Sequence, residues 1–341
     1  MKVGILIIGS GLAGTIAYNS LRPFSPVVVD LKPGPPKGGI LGLHPAVMRF
    51  RDQKAAELIR AEYEEVLVSK EIFLDGKILK SASIRANNLY SQKVYGAIGR
   101  RSLSNLGDVR RFILLNGYPA PEHTLWNRML TKVKDNVAYF QVKEENGGRT
   151  EAIEYDWLIS TIPMPTIYKL CFGESSLPED TFPSRSVYIK RVHLNIPSYV
   201  NQTIYFPDFD TPIYRITIQN RDMIFESMES VEGSDLLYTM MNHYDQFLSN
   251  LIYDSFGISE DYYSLIEKNI VRLPIGKIIP MDEDLRLKII MSLTDKHKIL
   301  SFGRFSVWRP LRTDQLLDDI KKISRLISAK RTKAAYISRI S

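Results

Sequence analysis

The amino-terminal segment constrains this chain more than any other. Lys2-Val-Gly-Ile-Leu-Ile-Ile8 is a short apolar run of the kind buried in a parallel sheet, and Gly9-Ser10-Gly11-Leu12-Ala13-Gly14 follows at once. A helical pattern then continues to Leu21. The order is strand, glycine turn, helix. Gly9 permits the tight turn, Gly11 leaves room for a pyrophosphate against the backbone, and Gly14 lets the helix pack closely on the strand. Free N–H groups at the helix start then receive the phosphates. A second strand, Pro26-Val-Val-Val-Asp30, ends in an acid 21 residues after the first glycine (30 − 9), where a carboxylate accepts hydrogen bonds from an adenosine ribose. The motif predicts a dinucleotide site formed by Gly9, Ser10, Gly11, Leu12, Ala13, Gly14 and Asp30.

Composition narrows the class. A chain of 341 residues with 44% hydrophobic and 24% charged residues has the length for two packed units and excludes disorder, collagen and pure coiled coil. Cys171 is the only cysteine, which removes an internal disulfide framework, a Cys-rich zinc module and a cysteine-ligated iron–sulfur cluster, and points to a reducing compartment. His44, His123, His193, His243 and His297 form no metal-type pair, so no metal is expected. The glycines interrupt the first apolar run too early for a secretory signal, and no other stretch approaches the roughly 20 apolar residues needed to cross a bilayer. A soluble, cytoplasmic protein without a membrane partner is expected.

The net charge is +7, and its distribution matters more than its sum. From Lys80 to Arg111 seven basic residues face one acid, Asp108, and from Arg309 to Ser341 nine basic residues face three acids. Two such clusters predict an anionic partner, either phosphates on a small molecule or a nucleic acid, although no recognised nucleic-acid-binding motif is present.

Beyond Asp30 the chain spends Pro33 to Arg49 on irregular backbone with a second glycine pair, Gly38-Gly39, where NAD dehydrogenases continue with alternating strands and helices. This pattern resembles the FAD enzymes related to amine oxidases and UDP-galactopyranose mutases, in which a Gly-Gly segment runs along the flavin. The stretch from Arg110 to Pro165 reads as a strand (Phe112 to Asn116), a turn, a helix (Thr124 to Lys134), a strand (Ala138 to Lys143), a Gly147-Gly148 hairpin and a strand from Tyr155 to Pro163. The last of these is similar to the family's returning strand, with small residues such as Thr161 at its end. Near the carboxyl end, Lys298-Ile-Leu-Ser-Phe-Gly303-Arg304-Phe305 and a helix-like segment from Thr313 to Ile327 are similar to the family's carboxy-terminal FAD signature. Thr313 or Asp314 is expected to cap that helix.

The resemblance covers about half the chain and implies an α/β fold: a Rossmann-type FAD-binding domain with a second, sheet-containing substrate domain. The expected division is 1–50, 110–170 and 290–341 for the discontinuous FAD-binding domain, and 51–109 and 171–289 for the substrate domain. FAD is implied as a noncovalent cofactor held by the glycine turn and Asp30 together with Gly38, Gly39, Thr161, Gly303, Arg304, Thr313 and Asp314. Lys190 stands where a lysine of similar amine oxidases reaches the flavin, and His44 follows the glycine pair, so these two are the catalytic candidates. Tyr205, Tyr214 and Arg215 are substrate-binding candidates because paired tyrosine and arginine hold anionic groups, and Arg309 and Arg312 because the family resemblance implies that they lie near the mouth of the flavin site. Three functions stay open: oxidation of a C–N bond in an anionic or polyanion-attached amine, redox-neutral chemistry on a nucleotide sugar, and dinucleotide binding without catalysis.

Overall fold

Two sheets share the chain, which crosses between them repeatedly. The computed structural model describes residues 1–34, 49–99, 103, 105–115, 117–143, 148–173, 181–228, 246, 248–264 and 270–340, with the side chains of the last helix described to 329. In the first sheet β1 (Lys2–Ile8) leads through the glycine turn to α1 (Leu12–Leu21) and β2 (Val27–Val29). The second sheet then receives β3 (Arg49–Phe50), β4 (Tyr63–Leu74), β5 (Lys77–Leu79) and β6 (Gly107–Leu114), with α2 (Gln53–Leu58) and α3 (Ile84–Tyr95) between them. The chain returns with β7 (Thr124–Leu125), β8 (Arg128–Lys134), β9 (Val137–Val142) and β10 (Arg149–Ser160), followed by α4 (Met164–Phe172). A second excursion supplies β11 (Ser184–Tyr205), β12 (Ile213–Met228), β13 (Tyr263–Ser264) and β14 (Val271–Ile278). Finally α5 (Glu283–His297), β15 (Ile299–Ser301) and α6 (Gln315–Ile340) complete the first unit. Among the described residues no helix is long and apolar enough to cross a membrane.

The first sheet runs β7-β2-β1-β10-β9-β8, with β15 on β10. β1 is parallel to both β2 and β10. Its unbroken apolar run is explained by layers on both faces. Ile5 and Ile7 pack with Ile16 and Leu21 of α1 and Ile320 of α6, whereas Leu6 and Ile8 pack with Ile167 of α4 and Leu293 of α5. Two local expectations need correction. The expected strand at 112–116 begins at Gly107 and belongs to the second sheet, where β6 pairs antiparallel with β4. The expected helix at 124–134 is β7 and β8. Asp135 and Asn136, at φ 51° and 58°, form a tight reversal into β9, and a hairpin partner on that side makes the segment a strand.

The second sheet runs β12-β11-β4-β6-β3, with β13 and β14 on β11 and β5 on β4. β12 is folded back on itself. Sixteen extended residues would span roughly 50 Å, yet Met228 N–H donates to Pro212 O at 3.0 Å, and Asn220 sits at φ 52° where the strand reverses. This reversal brings Glu226 back beside Arg215.

Candidate functional site

The glycine turn shows what each glycine is for. Gly9 lies at φ +99°, a conformation that favours glycine, and a Cβ there would stand 2.5 Å from Thr161 Oγ1. Thr161 itself donates from Oγ1 to Ile8 O at 2.7 Å, pinning the end of β10 to the end of β1. A Cβ on Gly14 would lie 1.8 Å from Gly9 O, so the close approach of α1 to β1 requires glycine. At Gly11 a Cβ would meet nothing within 4 Å, and the backbone (φ −64°, ψ −175°) suits any residue. The space over Gly11 is therefore open. It faces the start of α1, which has neither a side-chain cap nor an acid in its first turn. Asp30 closes the turn from the far side: Ser10 N–H and Oγ–H donate to Oδ2 at 2.6 and 2.7 Å, and Lys32 N–H donates to Oδ1 at 2.8 Å. An uncapped helix start, an open backbone and a carboxylate after β2 fit the diphosphate and ribose of a dinucleotide.

The carboxy-terminal strand end reaches the same place. Gly303, at φ +93°, sits so close to α1 that a Cβ would be 2.8 Å from Ala13 Cβ. Arg304 turns away, donating to Gly276 O at 2.8 Å and stacking on Phe305, so it ties β14 to this strand end. The start of α6 is closed by Gln315, whose Oε1 accepts from Arg312 N–H at 2.9 Å, the return half of a capping box. Gln315, rather than the Thr313 or Asp314 side chain, makes the described capping contact.

Against the start of α6 opens a cavity of about 240 Å³ lined by Arg49, Arg51, Lys70, Arg111, Thr203, Tyr205, Arg215, Thr217, Arg312, Thr313 and Asp314. Strand register explains the assembly. Arg49 stands opposite Ile113, Val66 opposite Arg111, Lys70 abreast of Thr203, Thr203 opposite Thr217 and Tyr205 opposite Arg215. Side chains alternate along a strand, so these residues share one face of the second sheet, and the start of α6 covers it. Of the described lining residues six are basic and one, Asp314, is acidic.

The cations are arranged to stay charged at some cost. Arg49 donates to Thr203 Oγ1 (2.8 Å), Ile218 O (2.8 Å) and Gln219 Oε1 (3.1 Å), all neutral acceptors. Burial, and then Arg215, push its guanidinium down to about 9. Arg111 is lowered by burial and by Arg51. Arg215 pairs with the Glu226 carboxylate; burial works against that carboxyl's charge, but Arg215 and Lys277 outweigh it and hold it below the usual range. A cavity with this balance attracts anions, and a multiply charged one most strongly.

The sequence-predicted residues divide accordingly. Tyr205, Arg215, Arg312, Thr313 and Asp314 line the cavity. Tyr214 does not: it is fully buried, its ring packed against Tyr90 of α3, which also meets the cavity-lining Tyr205. Arg309 is exposed and outside the cavity lining. Lys190, a catalytic candidate, does not reach the cavity. It stands opposite Phe225, which packs with Ile216 and Ile218, and those residues alternate with the cavity-lining Arg215 and Thr217. Lys190 is 3% exposed and lies on the sheet face away from the cavity. Gly38, Gly39 and His44 lie outside the described residues. The basic stretch from Lys80 to Arg111 disperses: Arg85 pairs with Asp75 (2.6 Å), and Arg110 with Glu65 (3.4 Å). Lys93 is buried and donates to Phe206 O, Asp208 O and Ile213 O at 2.8, 2.5 and 2.7 Å, and only Arg111 of the described members lines the cavity. Sequence reasoning missed Arg49, Arg51, Lys70, Thr203 and Thr217. Their signal is weak: isolated polar residues on strands, joined only by long-range register.

No protein-family model and no curated protein matches the chain by sequence. Solved structures do match. Reduced UDP-galactopyranose mutase superposes with a TM-score of 0.64 at 15% identity, covering 90% of this chain and 91% of the other. Putrescine oxidase, wild type bound to putrescine, gives 0.59 at 9% identity over 96% and 99% of the two chains. A flavoprotein/dehydrogenase from Cytophaga hutchinsonii gives 0.54 at 14% identity over 95% and 78%. What the chain shares with these proteins is their fold, a Rossmann-type α/β unit joined to a second, sheet-containing one.

Proposed function

We propose that this chain is an FAD-dependent oxidoreductase whose substrate carries a multiply charged anion. One observation carries the reading: a cavity with six basic residues and one carboxylate abuts the start of α6, and the Gly303 strand end just before it packs on Ala13 of the dinucleotide turn. When bound, FAD supplies the hydride-accepting ring. The open backbone at Gly11 and the uncapped start of α1 hold the diphosphate, with Asp30 at the ribose and Thr313 and Asp314 toward the flavin end. Arg51, Arg111, Arg215 and Arg312 hold the substrate anion, and Thr203, Thr217 and Tyr205 add hydroxyl donors. The division into an FAD-binding and a substrate domain belongs to this proposal, with β6 assigned to the substrate side.

The finer reading is oxidation of a C–N bond in an amine that carries a phosphate or similar anion elsewhere. A field of cations favours the neutral amine over the ammonium, and only the neutral amine has the lone pair that supports hydride loss from its carbon. The cations that dock the anion thus also prepare the nitrogen. A second reading, redox-neutral chemistry on a nucleotide sugar, is favoured by the match between an arginine-rich cavity and a diphosphate, and by the 0.64 superposition on reduced UDP-galactopyranose mutase.

Purified protein should be yellow, with FAD released on denaturation. Anaerobic mixing with aminoalkyl phosphates should then bleach the flavin, whereas turnover of a UDP-sugar only by prereduced enzyme would select the second reading. A protein that binds no flavin would overturn both.

A further inference from the structure

The cavity contains one cation unlike the rest. Guanidinium groups remain protonated throughout the neutral range, but a lysine ammonium surrendered to burial and like charges does not. Lys70 has no hydrogen bond or ion pair among the described residues. The groups facing it are Arg49 and Arg51 from β3 and its end, Arg111 from β6, Tyr205 and Thr203 from β11, Arg215 with Glu226 from β12, and Arg312 and Asp314 before α6. Glu71, next on β4, serves the other face, accepting from Gln202 at 2.7 Å. Directly across the ladder from Lys70 stands Gly107, beside which a Cβ would meet nothing within 4 Å. Space therefore adjoins the one lysine among the described lining residues.

We propose that Lys70 is the proton acceptor of the anion site: it gives up its proton readily while the cavity holds no anion and takes one from solvent as a dianion docks, so that docking and protonation are coupled. The inference rests on the reading of the cavity as the substrate's anion site and adds to it a specific residue and a pH dependence. Burial, and then Arg111, Arg215, Arg51 and Arg49, push the ammonium down to about 7, so neutral Lys70 is accessible at physiological pH. A docked dianion reverses that balance, because its charges oppose those of the four arginines. The coupling gives the site a sign: affinity for a dianion falls as pH rises through 7.

Sulfate is a suitable probe because its charge is constant across this range. Its binding to the FAD-loaded full chain is followed by calorimetry from pH 6 to pH 8.5 at fixed ionic strength, in buffers of different ionisation enthalpy. Proton uptake should approach one per sulfate above pH 7, with affinity falling about tenfold per pH unit there. Lys70→Met should bind weakly at every pH without proton uptake. Lys70→Arg should bind at pH 8.5 as tightly as the wild type does at pH 6, again without uptake. Sulfate binding by the wild type with no proton uptake at pH 8, or uptake that persists in Lys70→Met, would overturn the role of Lys70 and leave the anion site standing. No sulfate binding at any pH would overturn the anion site and the inference together.

Discussion

On the proposed reading, the glycine turn and the basic cavity hold their ligands by opposite means. The turn is one continuous stretch from Gly9 to Asp30, and it offers backbone N–H groups, open space and a single carboxylate. The cavity collects side chains from Arg49 to Asp314, through five strands and the approach to a helix, and it offers charge. A backbone site depends on what is absent: a side chain added at Gly11 or Gly14 changes it, and nothing can be truncated. A side-chain site depends on what is present, and each truncation removes one contact. Substitutions in the two regions should therefore fail in different ways.

The largest expected effect is at Gly14. With a Cβ placed 1.8 Å from Gly9 O, Gly14→Val should cost about 3 kcal/mol of stability, read from urea unfolding, or prevent folding altogether. Gly11→Val should release the flavin, yet with flavin removed from both proteins its unfolding midpoint should stay near that of the wild type, because its side chain enters the open space without touching protein. Loss of stability there would show that the space is not a ligand's.

Arg111→Ala should keep its flavin and raise KM for an anionic substrate roughly thirtyfold, the loss of about 2 kcal/mol from one charge-assisted contact. In the wild type KM should rise steeply with salt while kcat changes little, since screened docking contacts act equally on ground and transition states. The smallest effect concerns stability without an anion. Lys70, pushed down to about 7, binds fewer protons folded than unfolded between pH 7 and its ordinary range near 10.5. Wild-type stability should therefore rise with pH across that window, by at most about 1.4 kcal/mol per unit. Lys70→Met should flatten the slope in urea titrations, and an unchanged slope would assign it to another group.

The same contrast explains what could be read in advance. The strand, the glycines and Asp30 are local, and short-range spacing carries their geometry. The nearness of Gly303 to Ala13 was legible only through resemblance to a family, because no local pattern joins residues so far apart. The cavity was half legible. Tyr205, Arg215 and Arg312 were legible, but Tyr214 is taken up by packing under α3, where its ring meets Tyr90, and the sequence does not show which aromatic of the sheet that helix covers. Lys190 fails by alternation on its own strand: its neighbour Ile189 packs with Ile72 and Leu74, on the face of β4 that carries Lys70, so Lys190 points the other way. The segment 124–134 failed at its edges. Asn127 at φ 59° and the Asp135-Asn136 reversal mark a hairpin strand, and Asp-Asn was the available turn signal.

The central claim is that turn and cavity are two halves of one site, so an anion in the cavity must be felt by the flavin held at the turn. The direct test is the visible absorption spectrum of the FAD-loaded protein titrated with sulfate at pH 6.5 and constant ionic strength. A saturable shift of the flavin bands is expected, with the midpoint given by calorimetry, and Arg111→Ala should move that midpoint to much higher sulfate. Sulfate binding detected by calorimetry with a flavin spectrum that does not change would separate the two regions and contradict the account.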